Sequence, residues 1–147
     1  MRLYLDVCAL NRPYDDQTID RNRLEAEAVA IIIGRIGAGR HSLVSSEAID
    51  RENAACPDLE KVELVRETLR IASHHVVLAA EDVQRFEELL DLGFRSMDAL
   101  HLACAEAGNC NFFISTDDKL IKRAGAHRAA LAIRVVSPLT FVTEVEK

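Results

Sequence analysis

Tryptophan is absent from the 147 residues and aromatic residues make up only 5% of them, so a platform of rings for stacking nucleobases is not supported. No apolar run approaches the ~18 residues that a membrane helix needs. The opening stretch Met1-Arg2-Leu3-Tyr4-Leu5-Asp6 meets an acid too early for a secretory leader, which makes the cytoplasm the expected location. The four cysteines, Cys8, Cys56, Cys104 and Cys110, form no C-x-x-C pair, and no histidine stands at zinc-finger spacing. Neither a zinc site nor a disulfide framework is expected, and free, mostly buried thiols are. No stretch rich in proline, glycine or serine is long enough to be a linker, so residues 1–147 read as one domain, long enough to bury a core. An excess of basic residues is also missing. The net charge is −6, which argues against binding nucleic acid by simple phosphate neutralisation. Nucleic-acid chemistry would require the acids to be offset locally, by a divalent metal or by basic residues gathered on one face.

What is present is an alternation of short β-rich runs with helical stretches, the pattern of an α/β fold with a mainly parallel sheet. Strands are expected at Arg2–Leu5, Ser42–Ser45, His75–Leu78, Asn111–Ser115 and Ile133–Val136. Helices are expected at Asp20–Ile36, Glu47–Ala54, Asp58–Ala72, Ala80–Leu92, Ser96–Ala107 and Asp117–Gly125. A last helix should start with Ser137 as N-cap and Pro138 at its first position. In the first long helix Leu24, Ala28, Ile31, Ile32 and Ile36 recur at helical spacing, with Arg21, Arg23, Glu25, Glu27 and Arg35 on other faces.

Four acids stand out against this frame. Ligands of open parallel sheets bind beyond the carboxyl ends of the strands, and Asp6 and Asp117 each follow a strand. An aspartate there also commonly serves as a turn residue or N-cap. Asp98 opens a segment, Ser96 to Ala105, that is apolar almost all round and should be buried, so its charge needs a partner, a cap or a metal. The plainer alternative is that Ser96 caps the helix and Asp98 complements its dipole. Glu52 shares a stripe with Ala48, Ile49 and Cys56 and so points inward. Glu47 lies on another face with Arg51 four residues on, as an exposed ion pair. Several carboxylates in one pocket cannot all stay ionised without a counter-charge. A hard dication such as Mg²⁺ or Mn²⁺ suits oxygen donors, lowers the pKa of bound water and stabilises charge on a phosphodiester.

These residues resemble a known family. Leu5-Asp6-Val7-Cys8-Ala9-Leu10-Asn11, Ser46 with Glu52 six positions on, Met97-Asp98-Ala99-Leu100-His101-Leu102-Ala103, and Ser115-Thr116-Asp117-Asp118-Lys119-Leu120 are similar to the ordered motifs of PIN domains, including VapC-like toxins of toxin–antitoxin pairs. The resemblance implies a three-layer α/β/α sandwich with a sheet of about five strands. It implies a Mg²⁺- or Mn²⁺-dependent endoribonuclease, with Asp6, Glu52, Asp98 and Asp117 as catalytic and metal-holding residues. Thr116 or Ser115 would support the cluster through a hydroxyl, with Asp118 auxiliary. It also implies an RNA substrate, a small antitoxin as partner and a homodimer. Many relatives carry Thr-Asn after the first acid where this chain has Val7-Cys8, and the segment from Arg12 to Arg23 is longer than in a minimal toxin.

Lys119, Lys122 and Arg123 lie at i, i+3 and i+4 beside Asp117 and are candidates to hold a substrate backbone, with Arg12, Arg21 and Arg23 a looser set. A solvated basic face is the plainer reading. His101 follows Asp98 by one turn and is expected to be buried against a backbone carbonyl rather than turned to the pocket. A housekeeping PIN-like nuclease acting on RNA or DNA, or a PIN-like module that binds without cutting, are the alternatives. A phosphoacceptor domain is disfavoured, since no aspartate ends the His75–Leu78 run.

Overall fold

The computed structural model describes residues 1–146. Five short strands, β1 (Arg2–Leu5), β2 (Ser42–Ser46), β3 (His74–Val76), β4 (Phe112–Ile114) and β5 (Arg134–Val136), form one sheet in the order β3-β2-β1-β4-β5. Every pairing is parallel. The central strand explains itself. Leu3, Tyr4 and Leu5 are all fully buried, because a parallel strand covered on both faces must be apolar without alternation.

Between the strands run α1 (Val7–Asn11), α2 (Asp20–Gly37), α3 (Glu47–Ala54), α4 (Leu59–Leu69), α5 (Val83–Asp91), α6 (Ser96–Ala107) and α7 (Asp118–Ala126). After β5 comes α8 (Pro138–Thr140), capped by Ser137 as expected, and then a wider turn through Phe141–Val145. One continuous core joins the inner residues of β1, β2 and β4 to Ile32 of α2, Ile49 of α3, Leu102 of α6 and Phe141. Among the described residues no helix is long and apolar enough to cross a membrane.

The strand order sets the site. From β1 the chain steps outward through β2 and β3, then returns to the other side of β1 with β4 and β5. The direction of winding therefore reverses between β1 and β4, where an open sheet leaves a crevice at its carboxyl edge. Leu5 pairs with Ile114 there, so the residues that follow, Asp6 and Ser115, emerge side by side.

Several expectations shift. The sequence pattern passes over α1, a five-residue helix whose N-cap is Asp6. The stretch expected as one helix over Ala80–Leu92 divides into a 3₁₀ turn, Ala80–Asp82, and α5. The helix expected over Asp58–Ala72 is shorter, with Asp58 as its cap. On α2 the buried face is rotated: Leu24 and Ile31 are exposed, while Glu25, Ala26, Ala28, Val29, Ile32 and Ile36 are inside. An acid can occupy that face because two guanidinium groups neutralise it, Arg12 at 3.2 Å and Arg21 at 3.1 Å from Glu25 Oε1.

Candidate active site

Asp6 leaves β1 in extended backbone and its carboxylate accepts the Ala9 amide of α1 at 3.0 Å. Its own amide donates to the Ile114 carbonyl of β4 at 3.2 Å. Only 4% of the residue is exposed. Burial pushes its pKa up to about 6; hydrogen bonds from Ser115 and the Ala9 amide pull the other way, and the charge of Glu52 adds to the rise. Asp6 is thus a cap and an electrostatically frustrated acid at once.

On the neighbouring strand, Ser115 and Thr116 are buried and Asp117 follows. Asp117 caps α7 through the amides of Lys119, at 2.9 Å, and Leu120, at 3.3 Å. Ser115 Oγ accepts the Asp117 backbone amide at 3.0 Å, and the same hydroxyl moderates the rise in the Asp6 pKa.

Asp98 sits in the first turn of α6 and is half-buried. Burial raises its pKa, and Asp117 is the next contributor. The two acids line a small cavity of about 70 Å³ with Arg95, Lys119 and Arg123. Glu52 reaches the site from α3, with Oε1 3.2 Å from His101 Nε2. Cys8 registers all four charges. Its thiol pKa is pushed up to about 12, first by desolvation and then by the charges of Asp6, Glu52, Asp117 and Asp98 in turn. The charges of all four expected acids reach that thiol, but of the four only Asp98 and Asp117 line a common cavity.

The other candidates separate into two groups. Lys119, Lys122 and Arg123 line an open depression of about 350 Å³ that shares Lys119 and Arg123 with the acid cavity. Arg12 is instead engaged with Asp15, Asn22 and Glu25. Asp118 is exposed and held by Arg21, whose two terminal nitrogens donate to its carboxylate at 2.7 and 2.8 Å. That guanidinium keeps the Asp118 carboxyl below its ordinary range. Arg21 also donates to the Thr116 carbonyl at 3.2 Å.

Some local expectations are corrected. Ser96 is the first residue of α6 rather than its cap; the cap position belongs to Arg95, which makes no side-chain capping bond. Asp98 accepts no hydrogen bond among the described residues, so no cap holds it. Glu47 and Arg51 do not pair among the described residues; Asp50 instead meets His75 at 2.7 Å. Glu52 borders the buried stripe, 34% exposed, and the inward residues of α3 are Ala48, Ile49 and Asn53. His101 is buried as expected, but its partners are Tyr4 and Glu52, not a backbone carbonyl. Tyr4 is hidden in an apolar strand run, where nothing in the spacing separates a working hydroxyl from a core ring. Of the cysteines, Cys104 and Cys110 are buried, Cys56 is intermediate and Cys8 is exposed.

The donors fit a hard dication in chemistry. All four are carboxylates, and of these only Glu52 has a basic side chain within hydrogen-bond reach among the described residues, the imidazole of His101. Two of the four, Asp6 and Asp98, are driven toward protonation by burial and by neighbouring acids, a condition that a cation relieves. As they stand, no three histidine, cysteine, aspartate or glutamate side chains among the described residues are gathered closely enough to grip an ion.

No protein-family model matches the chain, and no curated protein does. Among solved structures it is similar to a chain of VapBC2 from Rickettsia felis, determined bound to a DNA fragment from the promoter of that pair. The identity is 14%, the TM-score 0.56, and the match covers 93% of this chain and 98% of the other. At that identity the likeness is one of fold: the molecule is an α/β protein with the PIN-like sandwich around a five-stranded parallel sheet.

Proposed function

We propose that the protein is a Mg²⁺- or Mn²⁺-dependent endoribonuclease and the toxin of a toxin–antitoxin pair. The observation that carries this reading is the placement of Asp6 and Asp117 just beyond adjoining strand ends where the sheet reverses, with Asp98 beside Asp117 in one small cavity and basic side chains on the adjoining helix. Asp6, Asp98, Asp117 and Glu52 would hold the ion. When bound, it supplies an activated water and offsets charge on the scissile phosphate. Lys119, Lys122 and Arg123, with Arg95 at the cavity rim, bind and orient the phosphate backbone, so a chain of net charge −6 still presents a local positive surface.

The PIN-like fold, and the occurrence of the similar chain in VapBC2 bound to a DNA fragment from the promoter of that pair, support the biological half of the reading. An arginine from a small antitoxin, placed among the acids, would pair with them and block the ion. The toxin is expected to act as a homodimer in the cytoplasm. Incubating the purified chain with single-stranded and structured RNAs, in Mn²⁺ or in EDTA, is the decisive experiment. Cleavage only with Mn²⁺ is expected. Equal cutting in EDTA removes the metal mechanism, and Mn²⁺ binding without cleavage of any RNA favours a PIN-like module that binds without cutting.

A further inference from the structure

Four polar side chains from three parts of the fold form a connected path. Ser46, at the end of β2 and the N-cap of α3, accepts the Ile49 amide at 3.2 Å. Its Oγ lies 2.7 Å from the hydroxyl of Tyr4 on β1. That hydroxyl is 2.6 Å from Nδ1 of His101 on α6, whose Nε2 is 3.2 Å from Glu52 Oε1. Ser46 and Tyr4 are fully buried and His101 nearly so. The rings are locked as well: Tyr4 stacks on Phe113 with centroids 5.0 Å apart, and His101 stands edge-on to Tyr4 at 5.7 Å.

With a neutral imidazole, the donors along this path run in one direction. An ionised carboxylate only accepts, so His101 Nε2 carries the proton toward Glu52. In a neutral imidazole Nδ1 is then the acceptor, and Tyr4 O–H donates to it. The Tyr4 oxygen in turn accepts the Ser46 O–H, while Ser46 Oγ already accepts a backbone amide. Each hydrogen is used, and the path that starts at the cap of α3 returns to Glu52 on the same helix.

We propose that Tyr4 and His101 are positioning residues that fix one oxygen of Glu52 and present the other to the acid pocket. The proposal rests on the reading of Glu52 as a member of the metal-holding set. A glutamate that is 34% exposed otherwise keeps much of its rotamer freedom, which binding would have to remove. Among the described residues Oε2 of Glu52 takes no hydrogen bond, so the restraint leaves a free donor atom for a cation. Groups of this kind, one bond behind a ligand, orient it and tune its basicity.

The test uses the full chain, free of metal, with ¹⁵N-labelled histidine. The His101 nitrogens should report a single Nε2–H tautomer. Tyr4→Phe removes one hydroxyl and keeps the stacked ring; the single tautomer should be lost, and Mn²⁺ affinity should fall roughly 10- to 100-fold. His101→Gln, which retains an N–H near the Nε2 position, should keep more Mn²⁺ affinity than His101→Leu. In a Glu52→Gln background, Tyr4→Phe should have no further effect on Mn²⁺ binding. An Nδ1–H tautomer in the parent chain, or unchanged affinity in Tyr4→Phe, overturns the proposal. A parent chain that binds no Mn²⁺ but shows the tautomer and its loss sinks the metal reading and leaves the hydrogen-bond path standing.

Discussion

Asp6 is the residue whose two roles conflict. As N-cap it must stay, yet as a buried carboxylate it is costly when ionised. Its ordinary value of 3.8 rises to about 6 in the fold. Between those values the folded chain holds a proton that the unfolded chain releases, so metal-free stability is highest below about pH 4 on this account and falls as pH rises through about 6. Asp6→Asn keeps a side-chain acceptor for Ala9 and removes the charge. It should flatten that slope and stabilise the metal-free protein above pH 6 by up to about 3 kcal/mol, at about 1.4 kcal/mol per pH unit. Urea denaturation in EDTA across this range measures it; a slope that persists in the variant assigns the effect elsewhere. Asp98 has no capping bond to lose. Asp98→Asn should therefore not lower the melting temperature, since it also relieves a half-buried charge beside Asp117, while cleavage drops by about 100-fold or more, as for removal of an essential ligand. Retained activity would make Asp98 a complement to the α6 dipole only. Glu47 and Glu52 divide similarly. Mn²⁺ titration should find Glu47→Gln unchanged and Glu52→Gln weakened, and the reverse result would mean that the other face of α3 meets the pocket.

At the scale of elements, the sequence is most legible where pattern and capping agree. The bounds of α3 and α6 follow from their sequences residue for residue, and Ser137-Pro138 starts the last helix as its chemistry dictates. Each strand lies within two residues of its expected ends; in the centre of the sheet this is because a buried parallel strand is a short apolar run with sharp borders, whereas β3 opens on two exposed histidines. The failures have physical causes as well. α1 is only five residues long, below the length at which periodicity registers, and its one signal is a single capping aspartate. The rotated face of α2 depends on Arg12 and Arg21 folding over Glu25, a tertiary arrangement that a helical repeat cannot anticipate. The acids are legible because strand ends and a charge on an apolar helix are local signs. The Tyr4–His101 pairing spans β1 and α6 and is not. The basic run on α7 carries its own prediction. Replacing Lys119, Lys122 and Arg123 together by alanine should weaken binding of single-stranded RNA and reduce the slope of log affinity against log salt by about 2, at about 0.7 for each phosphate no longer neutralised. Filter binding across a salt series reads both, and an unchanged slope would mark this face as merely solvated.

For the molecule as a whole, closure depends on its last turns. Phe141 is fully buried against His41 and Phe112, and Arg35, Arg40 and His41 converge on Glu146 nearby. Phe141→Ala should cost about 3–5 kcal/mol, as for other large-to-small core substitutions, readable as an earlier urea midpoint. A loss below about 1 kcal/mol would show that the terminal turns are not integral to the core. The strand order has a further consequence. β1 is the first of the five strands in chain order and the central one in the sheet, but one of its two neighbours, β4, begins only at Phe112. A chain emerging from the ribosome can pair β1 with β2 early, while Asp6 waits beside an empty edge for Ser115 and Asp117. The crevice between β1 and β4 is thus completed late, because its two walls come from distant stretches of the chain.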